Sequence, residues 1–295
     1  MTGLHPRARL AIAASFISIA SLTSTLAAQG GGQRTPRGDS LRQAQQLDVE
    51  GKHAEARVIF QTLIDNAPDP AAKAAAQRRM AMSHGFEGHC PVVVRYEEMV
   101  IDYWKTREQT EPQNAFYQQG EMANEAARVC FDYGDLATAE KMYRRGSELG
   151  LKEPEPKTHP KSLWDYRLAH ALARIAAQKG DKAEAERQVV AARKILDSDP
   201  KMAEAQERFY PYLVGYVALF TNDLPKANAE LTKAIAIEGN DRDPFMHALI
   251  GMTHEKMGHA SVAKEWYQKA YDLATGHNPP AVFTRPFARK KLAGS

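Results

Sequence analysis

The apolar residues between positions 40 and 276 recur every three or four positions, and they do not alternate with a period of two. This spacing predicts amphipathic helices and no strand. One pattern occurs five times: a turn residue, Ala five positions later, a large apolar residue four further on, and a small or apolar residue three beyond that. The turn residues of the five copies are Gly51, Gly134, Gly180, Asn222 and Gly258. Each copy predicts the turn and second helix of a helical hairpin.

A small residue lies seven positions before each turn residue, and these residues are Ala44, Ala127, Ala173, Gly215 and Gly251. Small side chains at that point let two successive helices approach closely. A turn glycine supplies the positive φ that ends the first helix. The first two turn residues are 83 positions apart, which is too long for one unit. This interval predicts another, degenerate hairpin with helices near 70–84 and 91–104, and therefore six hairpins in all.

Two frames carry a resemblance to a known family, through Gly51, Ala56, Phe60 and Pro68 and through Ile250, Gly251, Gly258, Ala263 and Tyr267. The pattern resembles the tetratricopeptide repeat family, whose unit has small residues at the contact of its two helices and an aromatic residue in the second. The resemblance implies an all-α fold, a right-handed α-solenoid of about six hairpins over residues 40–276. It also implies a protein or peptide partner on the concave face, which the first helix of each hairpin lines.

The residues that the resemblance places on that face lie ten, six or three positions before a turn residue, and they are Asn124, Arg128, Phe131, His170, Arg174, Tyr212, Tyr216, Met252 and Glu255. Arg128 and Arg174 hold equal positions in successive helices, so their guanidinium groups are expected to grip a carboxylate or phosphate. Tyr212 and Tyr216 add an aromatic ledge that would anchor an interface. The alternative is that the arginines are solvated or paired with Glu121, Glu125 or Asp132.

The first 28 residues have the pattern of an export signal. Arg7 and Arg9 precede an uncharged run over residues 10–28, and small residues allow cleavage after Ala27 or Ala28. The alternative, an uncleaved membrane anchor, is less favoured because several Ser and Thr residues interrupt the run. We therefore expect an exported protein, periplasmic or secreted, with no membrane span in its mature form. Residues 29–39 are Gly-rich and polar and predict a flexible linker.

The chain after the last repeat, residues 277–295, contains Pro279, Pro280 and Pro286, which are expected to break it up. Its apolar residues predict a short tail that caps the last hairpin. The chain contains 43% hydrophobic and 25% charged residues, which is typical of a folded protein. Its net charge of +3 falls to +1 if Arg7 and Arg9 are removed with the leader. Such a small charge argues against nucleic-acid binding.

Cys90 and Cys130 are the only cysteines of the chain. In a solenoid, Cys90 would begin the second helix of repeat 2, and Cys130 would lie near the end of the first helix of repeat 3. These helix ends lie on one edge of neighbouring layers, and export would allow oxidation. We expect a disulfide between them, and two buried free thiols are the alternative.

Motifs for catalysis are missing from the sequence, since it has no GxSxG, no P-loop and no GxGxxG after a strand. We therefore expect no cofactor and no metal, and a non-catalytic scaffold that binds a protein or peptide. The alternative is a metal-dependent enzyme or metal-binding factor, because His84, Glu87 and His89 form a dense cluster of possible ligands near Cys90.

Overall fold

The computed structural model describes residues 35–294, so the expected signal peptide and residues 29–34 of the expected linker lie outside the described residues. The described part of the chain is all-α and contains no strand. Its helices in chain order are α1 (Pro36–Glu50), α2 (His53–Asp65), α3 (Pro70–Gly85), α4 (Cys90–Lys105), α5 (Pro112–Asp132), α6 (Leu136–Gly150), α7 (Lys161–Gln178), α8 (Lys182–Ser198), α9 (Pro200–Gln206), α10 (Tyr210–Phe220), α11 (Leu224–Ile235), α12 (Pro244–Lys256), α13 (Ala260–Leu273) and α14 (Pro279–Ala293).

Six helical hairpins build the solenoid, as the sequence predicts. They are α1/α2, α3/α4, α5/α6, α7/α8, α10/α11 and α12/α13, and each packs against the next along the chain. The second hairpin fills the long interval between the first two turn residues. Its helices cover residues 70–85 and 90–105, close to the predicted ranges. An all-α solenoid of tetratricopeptide-like hairpins is therefore confirmed.

The turn residues end the first helices in the way that the pattern predicts. Gly51, Gly134, Gly180 and Gly258 have φ between 76° and 89°. Asn222 takes the same conformation at φ 65°, and it is the one non-glycine residue between 35 and 294 with a positive φ. Asn tolerates this region better than most side chains. The left-handed residue turns the chain sharply enough for a second helix to begin within a few residues.

Small residues let the two helices of a hairpin come together. A Cβ added to Gly251 would lie 2.6 Å from Cε1 of Tyr267 on the facing helix. A Cβ added to Gly215 would lie 2.7 Å from Cγ of Leu231 in the same arrangement. Ala127 is fully buried at the matching point of the third hairpin. These contacts confirm that the small positions set the distance between paired helices.

The expected disulfide is present. Cys90, the first residue of α4, is bonded to Cys130 in α5, with the two Cα atoms 4.9 Å apart. Both residues are buried. The bond joins the second hairpin to the third across a sequence separation of 40 residues.

Two segments near the hairpins differ from the expectation. Helix α1 begins at Pro36, inside the predicted linker, because the Thr35 hydroxyl caps it and Arg37 donates hydrogen bonds to the carbonyls of Leu63 and Ala72. Between the fourth and fifth hairpins, α9 and a 3₁₀ turn (Glu207–Phe209) lead directly into α10. The hydrophobic spacing did not separate this extra segment from the hairpin that follows it.

The C-terminal segment is a helix, so the expectation that its prolines break it up is wrong. Pro279 and Pro280 occupy the first turn of α14, where a backbone N–H has no partner within the helix. Pro286 lies inside the helix and removes one backbone hydrogen bond. The burial of Val282 and Ala288 favours the helix against that loss.

Helix α14 also reaches beyond the last hairpin. It packs on α12 and α13 and, in addition, on α3 and α5 from the second and third hairpins. Arg285 Nε donates to the carbonyl of Val49 at 2.8 Å, which ties α14 to the end of α1. Arg79 Nη1 donates to the carbonyl of His277 at 3.2 Å. The described chain therefore closes back on its first hairpins. No helix among residues 35–294 is long and apolar enough to cross a bilayer.

Candidate functional site

The first helices of the hairpins carry the residues that the sequence predicts for the concave face, here called the inner face, and Arg174 of α7 contacts several of them. Its Nη1 donates to the Tyr212 hydroxyl at 3.2 Å, and its Nη2 donates to the Tyr143 hydroxyl at 3.3 Å. Its guanidinium also lies over the rings of Phe131 and Tyr216, at 5.0 and 5.9 Å from their centroids. Burial acts to lower the pKa of Arg174, but the neighbouring tyrosines act against it, so that its pKa lies above its ordinary value. The guanidinium is therefore held by aromatic faces and hydroxyls.

Arg128 of α5 has a different neighbourhood. Its Nε donates to Asp132 Oδ2 at 2.7 Å, and its guanidinium lies 4.3 Å from the centroid of the Phe245 ring. Burial acts to lower the pKa of Arg128, and the charge of Asp132 outweighs this and raises it. The sequence analysis gave Asp132 as one possible partner of the arginines, and the structure shows the ion pair between Arg128 and Asp132. Phe245 belongs to α12, so the third and sixth hairpins meet across the inner face.

His170 and the two tyrosines complete this cluster. The His170 and Tyr212 rings lie 5.4 Å apart, and Tyr216 stacks on Phe220 at 4.5 Å. Burial lowers the pKa of His170 well below its usual range, and the charges of Arg174 and Arg128 act in the same direction. His170 is therefore neutral at physiological pH and behaves as a core residue.

The structure brings together six of the nine residues that the sequence places on this face, namely Arg128, Phe131, His170, Arg174, Tyr212 and Tyr216. Their side chains are largely buried and do not line an open groove. Arg174 is 5% exposed and Tyr216 is 1% exposed. The expectation of an open groove here therefore differs from the structure. The reason is that side chains from α5, α7, α10 and α12 fill the space between these helices, as the contacts of Arg128 with Phe245 and of Arg174 with Tyr212 show.

The other three residues lie apart from this cluster. Asn124 points to the facing helix of its own hairpin, where a Cβ added to Gly146 would meet its Oδ1 at 2.5 Å. Met252 is half-buried against the core. Glu255 is exposed and accepts hydrogen bonds from the Tyr267 hydroxyl at 2.7 Å and from Lys291 Nζ at 2.6 Å.

Three residues of the inner face were missed by the sequence reasoning. Phe245 and Tyr143 contact the arginines, and Phe283 of α14 packs on Phe245 with ring centroids 5.6 Å apart. Tyr143 lies on α6, a second helix, and Phe283 lies in the C-terminal segment, whereas the sequence analysis searched only the first helices for residues of this face. The signal that could have found Phe245 is its position directly after the Asp243-Pro244 start of α12, on the same helix as Met252.

The cluster proposed as the alternative site does not favour metal binding. Nδ1 of His84 and Nδ1 of His89 lie 3.4 Å apart, but Glu87 is paired with Arg57. Burial lowers the pKa of His84 to about 4, and the charge of Arg57 contributes in the same direction. Within residues 35–294, no group of three His, Cys, Asp or Glu side chains has an arrangement that could hold a metal ion.

A cavity of about 570 Å³ lies on the outer surface, lined by Leu149, Glu148 and five cationic side chains of α4, α6 and the residues after α6. Three of the cations are already paired: Lys105 with Asp102, Arg144 with Glu140, and Arg145 with Glu98. These pairs reduce the positive charge of the cavity, but its lining remains cationic.

The hairpins and their inner face define an all-α repeat protein of the solenoid class. Residues 246–277, which cover most of α12 and all of α13, match the model of the tetratricopeptide repeat family. The sixth hairpin thus matches a tetratricopeptide repeat, and the other five hairpins are similar to it in their architecture. No curated protein matches the sequence.

Proposed function

We propose that the protein is a non-catalytic scaffold that binds a protein or peptide partner through the inner face of its solenoid. The observation that carries this proposal is the stack of six hairpins ending in a recognised tetratricopeptide repeat at residues 246–277. Repeats of this kind generally mediate protein–protein interaction, because stacked hairpins present one extended surface. The metal-dependent alternative built on His84, Glu87 and His89 has no such support.

The part of this face that a partner meets first lies at the C-terminal end of the solenoid. Glu255 is exposed there and Met252 is half-buried. Arg128 and Arg174 lie deeper and are occupied by Asp132 and by the tyrosines. Reversal of the charge of either arginine would place a carboxylate among these contacts and destabilise the fold, so the interaction has to be tested at an exposed position.

A photo-crosslinking amino acid at position 255 tests the proposal, with position 186 as the matched control. Both sites are exposed glutamates in helices, but Glu186 lies in α8, a second helix, on the outer surface. We expect the purified chain, added to an envelope extract of its own organism, to form one discrete adduct from position 255 and none from position 186. Adducts from position 186 alone would contradict an inner-face site.

We extend the proposal to location, since the pattern of residues 1–28 supports export to the periplasm or beyond the cell. Expression in the native host followed by intact-mass measurement tests it. The expected product begins at Gln29, or at Ala28 if cleavage follows Ala27, and is found outside the cytoplasm. An uncleaved chain in the cytoplasmic fraction contradicts export and leaves the binding proposal standing.

A further inference from the structure

The cavity of about 570 Å³ on the outer surface lies apart from the inner face. It is formed by α6, the residues after it and the C-terminal end of α4, and both helices are second helices of their hairpins. The nine residues predicted for the inner face, all of which the structure describes, are not part of its lining. Its volume is typical of small-molecule sites, which measure about 300–1,000 Å³. The cavity is therefore a separate candidate for ligand binding.

The sequence of α6 explains why the lining of this cavity is cationic. Positions 141, 144 or 145, 148 and 152 follow one another at intervals of three or four residues, so their side chains share one face of the helix and its continuation. Lysine or arginine occupies each of these positions except 148, which is a glutamate. Lys105 adds a fifth cation from the end of α4, and Leu149 alone is apolar among the described residues of the lining. Sites for drug-sized ligands are mainly apolar, so this lining favours a hydrophilic anion instead.

Two of the five cations are free to meet a ligand. Lys141 and Lys152 are exposed, and within residues 35–294 neither side chain forms an ion pair or a hydrogen bond. A third cation, Lys105, pairs with Asp102 on its own helix, where both side chains are exposed. Exposed pairs of this kind contribute little to stability, so an anionic ligand can replace the carboxylate at small cost.

The two arginines have carboxylate partners that leave positive charge in the cavity. Glu140 pairs with both Arg144 and Lys179, at 2.8 and 2.9 Å. Hydrogen bonds from Lys179 and Arg144 lower the pKa of Glu140, so one negative charge is shared by two cations. Arg145 Nη2 donates to Glu98 Oε2 of α4 at 2.6 Å, and this partly buried pair holds together the two helices that form the cavity.

From this lining we infer that the cavity binds a small soluble molecule that carries at least two phosphate groups. Lysine ammonium groups bind phosphate as point charges, and arginine adds paired N–H donors. A phosphate group carries about 1.5 to 2 negative charges at neutral pH, which suits a lining of five cations and one carboxylate. The cavity is larger than one phosphate group needs, so a second group occupies the remaining space. A bilayer surface is disfavoured, because the lining offers no exposed apolar side chain to insert.

Inorganic pyrophosphate serves as the probe, and its binding to the full chain is measured by isothermal titration calorimetry in a low-salt buffer without metal ions. We expect one site per chain. The double variant Lys141→Glu with Lys152→Glu should bind about tenfold more weakly or worse, because two attractive contacts become repulsive. Lys141→Gln with Lys152→Gln should lose less, since it removes the attraction alone. Added salt should weaken binding to the wild type, because exposed charges are screened.

The matched control is Lys194→Glu with Lys264→Glu. Both lysines are exposed on second helices, α8 and α13, so the net charge changes by the same amount as in the double variant of the cavity. We expect this control to stay within about twofold of the wild type, because distant exposed charges are screened. Urea unfolding should give all variants the stability of the wild type, since none of the four lysines forms an ion pair within residues 35–294.

Four results would overturn the inference. Two of them are a wild-type chain that does not bind pyrophosphate and equal losses in the two reversed variants, which would indicate general attraction by net charge. The third is citrate binding as tightly as pyrophosphate, which would indicate a carboxylate site. The fourth is stronger retention on vesicles of phosphatidylcholine and phosphatidylglycerol than on vesicles of phosphatidylcholine alone, lost in the cavity variant, which would indicate a membrane surface. The adduct from position 255 should persist in Lys141→Glu with Lys152→Glu, so failure here leaves the proposed function standing.

Discussion

His277 Nε2 lies 3.1 Å from Asp48 Oδ2, so the segment before the last helix contacts the first helix of the solenoid. Asp48 is buried, and its Oδ1 also accepts a hydrogen bond from Ser83 at 2.9 Å and lies 2.9 Å from His53 Nδ1. One carboxylate of α1 thus joins residues of α2, α3 and the C-terminal segment. The solenoid is closed by a buried polar cluster as well as by apolar packing.

This cluster makes stability depend on pH. Burial lowers the pKa of His277, against the hydrogen bond and charge of Asp48, and the charges of Arg79 and His53 add to the lowering. Below the ordinary value of 6.5 the unfolded chain binds a proton that the folded chain does not, so stability falls as the pH falls. The loss is at most about 1.4 kcal/mol per pH unit for one proton.

Replacement of His277 isolates this contribution. We expect His277→Gln to lose less stability than the wild type between pH 7.5 and pH 5.5, as measured by urea unfolding at each pH. The exposed Val190 provides the control, and Val190→Ala, which removes no titratable group, should keep the wild-type dependence. Identical pH profiles for His277→Gln and the wild type would show that the buried contact does not exclude the proton.

Glu97 is expected to show the opposite dependence. It is fully buried, and neither carboxylate oxygen has a hydrogen-bond partner among the described residues. Burial raises its pKa well above 4.5, the charge of Glu125 adds to this, and the charges of Arg78 and Arg79 oppose it. Above pH 4.5 the folded chain keeps a proton that the unfolded chain releases, so stability falls as the pH rises.

The variant Glu97→Gln removes this proton. We expect its unfolding free energy to be close to that of the wild type at pH 5 and to exceed it increasingly toward pH 8. Urea midpoints at pH 5, 6.5 and 8 measure the difference, and Glu186→Gln at an exposed position serves as control. A difference that stays constant with pH would contradict a protonated Glu97 in the folded state.

The disulfide links the second and third hairpins and stabilises the fold by restricting the unfolded chain. Closure of a loop of about 40 residues contributes about 2–4 kcal/mol. We expect Cys90→Ala with Cys130→Ala to lose this amount in urea unfolding. Thiol labelling of the denatured protein should find no reactive group before reduction and two afterwards. Two reactive thiols before reduction would contradict the bond.

Arg174 holds the centre of the inner face, so its loss is expected to be costly. The variant Arg174→Ala leaves the hydroxyls of Tyr212 and Tyr143 without a donor and opens a cavity between aromatic rings. We expect a loss of about 3 kcal/mol or more in unfolding free energy. Arg187→Ala removes an exposed arginine and should change stability by less than about 0.5 kcal/mol. Equal effects of the two substitutions would show that the buried cluster is not structural.

Local signals were sufficient to predict the hairpins. The turn residues, the small positions before them and the hydrophobic period of each helix act over a few residues, and these interactions determine a hairpin. The disulfide followed from placing Cys90 and Cys130 on such hairpins. The start of α1 at Pro36 and the helix α9 were not predicted, because a helix cap and a seven-residue helix are too short to show a hydrophobic period.

The inner face could be predicted only in part. Sequence positions indicated that Arg128 and Arg174 lie on it, but not that Phe245 comes from three hairpins away to cover Arg128. The C-terminal prolines predicted an irregular tail, because the rule for proline considers the backbone alone. The burial of Val282 between α3 and α5 stabilises the helix and offsets the backbone hydrogen bond that Pro286 removes. This burial depends on residues about 150 to 200 positions earlier in the chain.

The sequence by itself determined the helical class, the number of hairpins and the residues at which each turns, because those features depend on neighbours within one or two helical turns. Only the tertiary structure decided that the inner face is closed and that α14 lies on it. Small differences in angle between successive hairpins add up along a solenoid, and their sum brings α5 against α12 and His277 against Asp48. No pattern of neighbouring residues in the sequence specifies the total of these angles.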